Sequence, residues 1–327
     1  MKKATDALVL TGSGNDLKLL VIKRKNPPFL DLFALPGGFI DAGEQALAAC
    51  VRELAEETGV QLREADGIEL SVRKRRGRDP RGDVRSYPFM FYCSQELQAC
   101  AQDDALEAKW VLLTELKELA FDHGAILCEG LGHFWKTMPS FSDALEGLRL
   151  PDFMPVCEDS NIGVFYGGSF NPWHAGHTAC VDNAPKNTIV VPDSNPWKSM
   201  DENIDRKCFW RSLLEICQQL AGRDITIFPG FWGAEQGNPT ISWLSQTNFK
   251  QYALVMGDDA FLSLHQWFAA EKLIKILHKV YIIPRGASAA ALLAQKKKIQ
   301  GINGDLVCSF GKEHKFQELS SSNLRES

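Results

Sequence analysis

Short apolar runs separated by polar turns mark the first third of the chain. Residues 7–10 and 18–23 predict two strands about the turn Gly12-Ser13-Gly14-Asn15-Asp16, and residues 87–93 and 110–113 predict later strands. Helical periodicity interrupts this pattern at 45–58 and again at 123–136, so the expectation is a mixed sheet with few helices. From Thr137 to Asn161 periodicity fades and Pro and Ser punctuate the chain, which reads as a linker. Beyond it the style changes. Apolar strands at 162–166, 188–192, 225–228, 252–256 and 279–283 alternate with helical stretches at 206–220 and 267–278. That alternation predicts a Rossmann-like, doubly wound parallel sheet. The fold class expected is α/β in two domains, residues 1–137 and 161–327, joined by a linker over 138–160.

Composition narrows this picture. A length of 327 residues with 45% hydrophobic and 24% charged side chains exceeds what one core usually serves. With 36 basic against 41 acidic residues the net charge is −5, which offers no broad attraction to nucleic acid or an anionic membrane. Phosphate binding must then be local, and Lys296-Lys297-Lys298 reads as a solvated helix end. The nine cysteines form no Cys-x-x-Cys pair, and residues 7–10 are too short an apolar stretch for a signal segment. Reduced thiols and a cytoplasmic location are expected, with small-molecule nucleotides as partners and a homo-oligomer left open.

The densest chemical signal is Gly38, then Glu44, then Arg52-Glu53-Leu54-Ala55-Glu56-Glu57-Thr58-Gly59-Val60. On a helix Glu53, Glu56 and Glu57 share one face, while Leu47, Val51, Leu54 and Ala55 lie opposite and can pack on the sheet. Clustered like charges need compensation, which a hard divalent cation with oxygen ligands supplies: magnesium, or manganese in its place. Arg52 can pair with Glu44 to hold the preceding loop, Gly59 suits a left-handed helix cap, and Gly37-Gly38 lets backbone approach a phosphate. An acidic, solvated helix face is the plain alternative for a lone Glu-x-x-Glu-Glu. The complete spacing instead resembles the Nudix hydrolases over residues 5–137. The resemblance implies that Glu53, Glu56 and Glu57 hold the metal on a diphosphate attacked by water, with Glu44 and Arg52 supporting them. The general base stays open between a signature glutamate and a later acid such as Asp103, Asp104 or Glu107.

Three further stretches, Phe33-Ala34-Leu35-Pro36, Arg78-Asp79-Pro80-Arg81-Gly82 and Leu119-Ala120-Phe121-Asp122-His123, resemble the ADP-ribose pyrophosphatase branch and its regulatory relatives. The basic loop 73–78 could address a diphosphate with forked donors or be an exposed hairpin tip, and Arg81 is carried as a substrate-binding candidate. NADH, dinucleoside polyphosphates and nucleoside diphosphate sugars remain alternative substrates. His123 is read as a residue that caps or packs its helix.

The second signal is the strand 162–166 running into Gly167-Gly168-Ser169-Phe170-Asn171-Pro172-Trp173-His174-Ala175-Gly176-His177. Glycines at the carboxyl end of a strand can leave amides facing a phosphate, and the helix that follows adds its positive end. His174 and His177 are close enough to aim both rings at one polyphosphate. The segment resembles the H-x-G-H nucleotidyltransferases, and other matches follow in order: Asn195-Pro196-Trp197-Lys198, Gly257-Asp258-Asp259 with Trp267, and Ser320-Ser321-Ser322-Asn323-Leu324-Arg325. Within that superfamily it is most similar to nicotinate mononucleotide adenylyltransferase, with the nicotinamide nucleotide as alternative. The resemblance implies ATP as a substrate, its triphosphate held by His174, His177, Lys198 and Arg325 near Gly167, Gly168, Ser169, Phe170, Ser321 and Ser322. It also implies Asp259 on the nucleotide and Trp267 stacked on the pyridine. The chain ends two residues after Arg325, where such relatives continue through a helix, which keeps a nucleotide-sensing regulator as the competing reading.

Overall fold

The computed structural model describes residues 1–102, 105–133, 161–170, 172–193, 209–231, 237–245, 247, 249–317 and 319. The expected linker 138–160 lies outside the described residues, as do Asp103, Asp104, Lys198, Ser321, Ser322 and Arg325.

The first sheet is mixed. β1 (Lys2–Thr11) runs parallel to β5 (Val84–Cys93), from Lys2 opposite Val84 to Thr11 opposite Cys93. β2 (Lys18–Arg24) pairs antiparallel with β1, with β3 (Phe33–Ala34) and with β6 (Ala105–Leu112), and β4 (Ile68–Glu69) closes the far edge on β5. Because successive side chains in a strand point to opposite faces, β1 serves two cores. Ala7 and Val9 join Cys50 and Leu54 of helix α1 (Ala46–Thr58), whereas Leu8 and Leu10 join Ile126 and Leu127 of helix α2 (His123–Gly132). The result is a sheet with one helix on each face.

The second sheet is wholly parallel, in the order β9 (Ile225–Ile227), β8 (Thr188–Pro192), β7 (Ile162–Gly168), β10 (Gln251–Gly257), β11 (Leu277–Ile283), β12 (Val307–Phe310). Winding outward in both directions from β7 and β10 creates a topological switch point between them, where such sheets open a crevice at the strands' carboxyl ends. Helix α3 (Ala175–Asp182) follows β7, helix α4 (Phe209–Leu220) precedes β9, α5 (Thr240–Leu244) precedes β10, α6 (Asp258–Ser263) follows it, α7 (Ala270–Ile276) precedes β11 and α8 (Ala289–Gln300) follows it. The predicted helix 267–278 is shorter than expected, because Leu277 and His278 already belong to β11. Lys297 and Lys298 lie exposed in the last turn of α8, as a solvated helix end should.

The two sheets share a wall. Nine of the ten residues of α2 are buried, which is the expected state of a helix apolar on all sides. One side of α2 faces the first sheet and the other meets α4, whose Trp210, Leu213 and Ile216 belong to the same apolar cluster as Leu8, Leu127 and Leu131. Among the described residues no helix is long and apolar enough to cross a membrane.

Candidate active sites

Helix α1 carries the acidic signature. Gly59 ends it in the left-handed conformation at φ 70°, as its missing side chain permits. Measured around the wheel from the buried Leu54, Glu57, Glu53 and Glu56 lie at roughly 60°, 100° and 160° respectively. Exposure rises toward Glu56: Glu57 and Glu53 are partly buried, with the Glu53 side chain 17% exposed, and that of Glu56 is 49% exposed. The packing face is centred on Cys50, Leu54 and Thr58; of the other residues expected on it, Leu47 and Val51 pack against the cluster while partly buried, and Ala55 is partly buried too.

Arg52 is the hub. It donates from Nε to Glu44 Oε1 at 2.9 Å and from Nη2 to Glu44 Oε2 at 3.0 Å, and its Nη1 reaches both Glu53 and Glu56 at 2.9 Å. The Arg52 bonds and the Asp41 amide hold the Glu44 carboxyl down at about 2. Burial pushes Glu53 up despite Arg52, and burial pushes Glu57 up to about 8, with the Glu53 charge adding to the effect and the Gly37 N–H, which donates to Glu57 Oε2 at 2.8 Å, opposing it. Carboxyls raised by burial and by each other's charge suit an added cation. The shared face is as expected, but the three carboxylates do not converge on one point: Glu53 and Glu56 are turned onto Arg52, and no three acidic, His or Cys side chains among the described residues form a ready-made metal cluster. The donor set fits a hard divalent ion by its chemistry, with Glu53, Glu56 and Glu57 as the residues that would hold it. Gly38 lies against this set, since a Cβ there would coincide with the Glu53 carboxylate.

The three stretches around the signature meet at Asp6. Its carboxylate receives Ser86 Oγ and lies 3.2 Å from His123 Nε2 and 3.7 Å from Arg78. Burial would raise its pKa, but His123 and Arg78 overcome that and hold it well below the usual range. His123 is therefore more than a helix cap. Its Nδ1 accepts the Leu35 N–H at 2.9 Å, so the ring proton sits on Nε2, facing Asp6. The basic loop needs correcting too. Arg73 is fully buried against Glu129, and Arg78 forks onto Asp122 at 2.6 Å, so neither reaches outward to a diphosphate. Arg81 does remain at the surface: gripped by Asp79 at 2.7 Å, its guanidinium lies 5.2 Å from the Phe39 ring and 5.4 Å from the Phe121 ring. Arg24, missed in the sequence, lies over the other aromatic partner, 4.9 Å from the Phe121 ring, and feels the charges of both Arg81 and Glu57. Glu107, one of the acids weighed as base, is paired with Lys109 at 2.8 Å on β6.

In the second sheet the two glycines are the last residues of β7, opposite Val191 and Pro192 of β8, so the strand runs two residues past the expected 162–166. A Cβ on Gly168 would strike the Phe170 ring, and Phe170 itself has φ 44°. Phe170 is 2% exposed and packs on Tyr166, Trp173 and His177, so it backs His177 at the wall of the cleft described below. His174 caps α3: its Nδ1 accepts from Gly176 N–H at 3.1 Å, while its own N–H donates to His177 Nδ1 at 3.3 Å. The two rings stack 3.7 Å apart. Both therefore carry their proton on Nε2. Burial, helped by Arg285, lowers the pKa of His174, and its Nε2 is a buried donor with no partner among the described residues. A buried donor without an acceptor costs about 1–3 kcal/mol, which an anionic ligand would offset.

His177 opens on a cleft of about 980 Å³ at the switch point. Gly167, Gly168, Ser169, Phe170, Asp259 and Trp267 line it, and so does Arg285, which the sequence did not single out. Asp258, buried at the start of α6, accepts the amides of Arg285 at 2.7 Å and Ala287 at 2.9 Å and so fixes the loop that carries this arginine.

Fold and sites together define an α/β protein with an acidic helix packed on a mixed sheet and a cleft lined in part by His177 at the switch point of a parallel one. Residues 1–129 match the NUDIX domain family. That part of the chain belongs to the family, and the second domain is similar to nicotinate-nucleotide adenylyltransferases. The ADP-ribose pyrophosphatase of Methanocaldococcus jannaschii is 47% identical over 115 residues, covering 34% of this chain and 64% of that protein. A probable nicotinate-nucleotide adenylyltransferase of Flavobacterium psychrophilum is 29% identical over 137 residues, covering 38% of this chain and 67% of that protein. A crystal structure of a bifunctional NMN adenylyltransferase/ADP ribose pyrophosphatase from Francisella tularensis, complexed with AMP and a Mn ion, is 32% identical, covers 38% of this chain and 39% of that one, and superposes with a TM-score of 0.34. The chain thus spans about two thirds or less of the length of each of these relatives.

Proposed function

We propose that this chain is a bifunctional enzyme of NAD metabolism, in which the front domain hydrolyses the diphosphate of ADP-ribose to AMP and ribose 5-phosphate. The rear domain transfers the adenylyl group of ATP to nicotinate or nicotinamide mononucleotide. The hydrolase reading is carried by the acid stripe of α1, where burial, with the Glu53 charge beside it, pushes Glu57 up to about 8. Magnesium or manganese, when bound by Glu53, Glu56 and Glu57, supplies neutralisation of the diphosphate and acidifies the attacking water. Glu44 clamps Arg52 so that the guanidinium spans the outer acids. Arg24 and Arg81, with the rings of Phe39 and Phe121 between and beside them, suit an anionic nucleotide by charge and by stacking.

The transferase reading is carried by the buried Nε2–H of His174 at the head of α3, which has no acceptor among the described residues. Positioning and charge neutralisation would do the work, without a covalent protein intermediate. His174, His177 and Arg285 face the phosphates, Ser169 and Asp259 hold the nucleotide, and Trp267 stacks on the pyridine. Lys198, Ser321, Ser322 and Arg325 are proposed to complete the triphosphate site.

The test uses the full-length protein. Magnesium with ADP-ribose should yield AMP and ribose 5-phosphate, and Glu57→Gln should abolish that reaction alone. ATP with either mononucleotide should release pyrophosphate, and His177→Ala should abolish that reaction alone. Tight ADP-ribose binding without turnover would favour the regulator, and pyrophosphate release unchanged by His177→Ala would reject the second site.

A further inference from the structure

The Asp6–His123 pair is buried beside the segment that leads to the acid stripe. Asp6 is 8% and His123 2% exposed. Burying two ionisable side chains costs desolvation that well-packed apolar residues would avoid, so such a pair is more useful for fixing geometry than for stability. The geometry fixed here is that of the segment 35–38. Pro36 has no N–H and Gly37 no side chain, so the direction of the Gly37 amide depends on how its neighbours are held. They are held on both sides. His123 Nδ1 accepts from Leu35 N–H at 2.9 Å, while Ala7 N–H donates to Pro36 O at 2.8 Å and Thr5 N–H to Gly38 O at 2.9 Å. Gly37 N–H then points the opposite way and donates to Glu57 Oε2 at 2.8 Å. A Cβ on Gly37 would run into the Thr5 carbonyl, so the segment lies directly on β1.

We propose that His123, held by Asp6, is a positioning residue for Glu57: it sets the Leu35–Gly38 segment so that the Gly37 amide fixes one oxygen of Glu57 and thereby aims the other. The inference rests on the hydrolase reading of the acid stripe. It gives His123 an indirect role, with no contact to substrate or metal.

The test compares wild type, His123→Ala and His123→Asn in the full-length chain. Asn places an oxygen near the position of Nδ1 and can still accept from Leu35. His123→Ala is expected to lower kcat for ADP-ribose about 10–100-fold, in the range of residues that orient metal ligands, with KM changed by no more than about twofold. Manganese binding without substrate, read by electron paramagnetic resonance, should weaken about tenfold in the same variant. His123→Asn should recover most of both losses. Unchanged kcat and manganese affinity in His123→Ala, or an Asn variant as poor as the Ala one, overturns the proposal. Should His123→Ala fail to fold, Asp6→Asn decides, with an expected loss of about tenfold in kcat; wild-type kcat in that variant overturns the proposal. A wild type that leaves ADP-ribose intact rejects the substrate reading instead, and the manganese comparison still decides the role of His123.

Discussion

Trp210 donates its indole N–H to the carbonyl of Leu116 at 2.9 Å, tying the rear domain to the loop that leads into Phe121, Asp122 and His123 of the front one. The Trp210 ring is fully buried, and beside it Arg211 reaches Glu118 at 2.7 Å. The loop that arranges the hydrolase pocket is thus gripped from the transferase side.

Trp210→Ala should therefore destabilise the whole chain by about 3–5 kcal/mol, the usual cost of emptying a large aromatic site. Urea unfolding followed by a probe in each domain should show both transitions moving together. Movement of the rear-domain transition alone would mean that the halves fold independently.

Glu57 gives a pH dependence with a definite sign. Its folded pKa, about 8, lies above the ordinary carboxyl value of 4.5, so the folded state holds the proton more tightly than the unfolded one. The associated stability is full below about 4.5 and is lost as pH rises through 8. In metal-free protein Glu57→Gln should remove that part of the loss, so its urea midpoint should fall less than that of wild type between pH 5 and pH 9. Equal slopes would refute the raised carboxyl.

Gly38→Ala should displace the Glu53 carboxylate, because the new methyl would occupy its place. Hydrolysis should fall about 10–100-fold, as when a metal ligand loses its orientation, while pyrophosphate release from ATP stays at the wild-type level. Assaying both reactions on one preparation checks this.

Arg285→Ala should reduce adenylyl transfer about 100–1,000-fold, the scale of losing one charge-stabilising donor. Its charge also contributes to lowering the pKa of His174. Titration of the His174 ring by nuclear magnetic resonance should show that pKa rising in the variant, and hydrolysis should be untouched.

The acid stripe was legible because helical geometry alone sets the order in which Glu57, Glu53 and Glu56 leave the core. The β7–α3 junction was legible for the same reason: His174-Ala175-Gly176-His177 can cap a helix in few ways. What sequence missed was direction. Arg73 and Arg78 read like exposed loop arginines because the acids that draw them inward, Glu129 and Asp122, lie 56 and 44 positions away. The aromatic Phe170 lines the cleft and also props His177, a second role set by its positive φ and by the space Gly168 leaves. Arg285 belongs to no motif, yet it follows the carboxyl end of β11 near the switch point, and that position was a usable signal. The shared face of Glu53, Glu56 and Glu57 was legible, but where the Glu53 and Glu56 carboxylates turn depends on Arg52, whose competing partners no pattern ranks.

Helix α2 carries a lasting consequence for how this molecule can be handled and how it can diverge. With apolar contacts on both flanks, it belongs to neither half alone. Severing the chain between the sheets would leave one fragment with a greasy flank in water and the other with an uncovered Trp210, so each would tend to aggregate. Genes encoding the separate halves would first have to acquire polar side chains along that seam, which makes the fusion easier to keep than to undo.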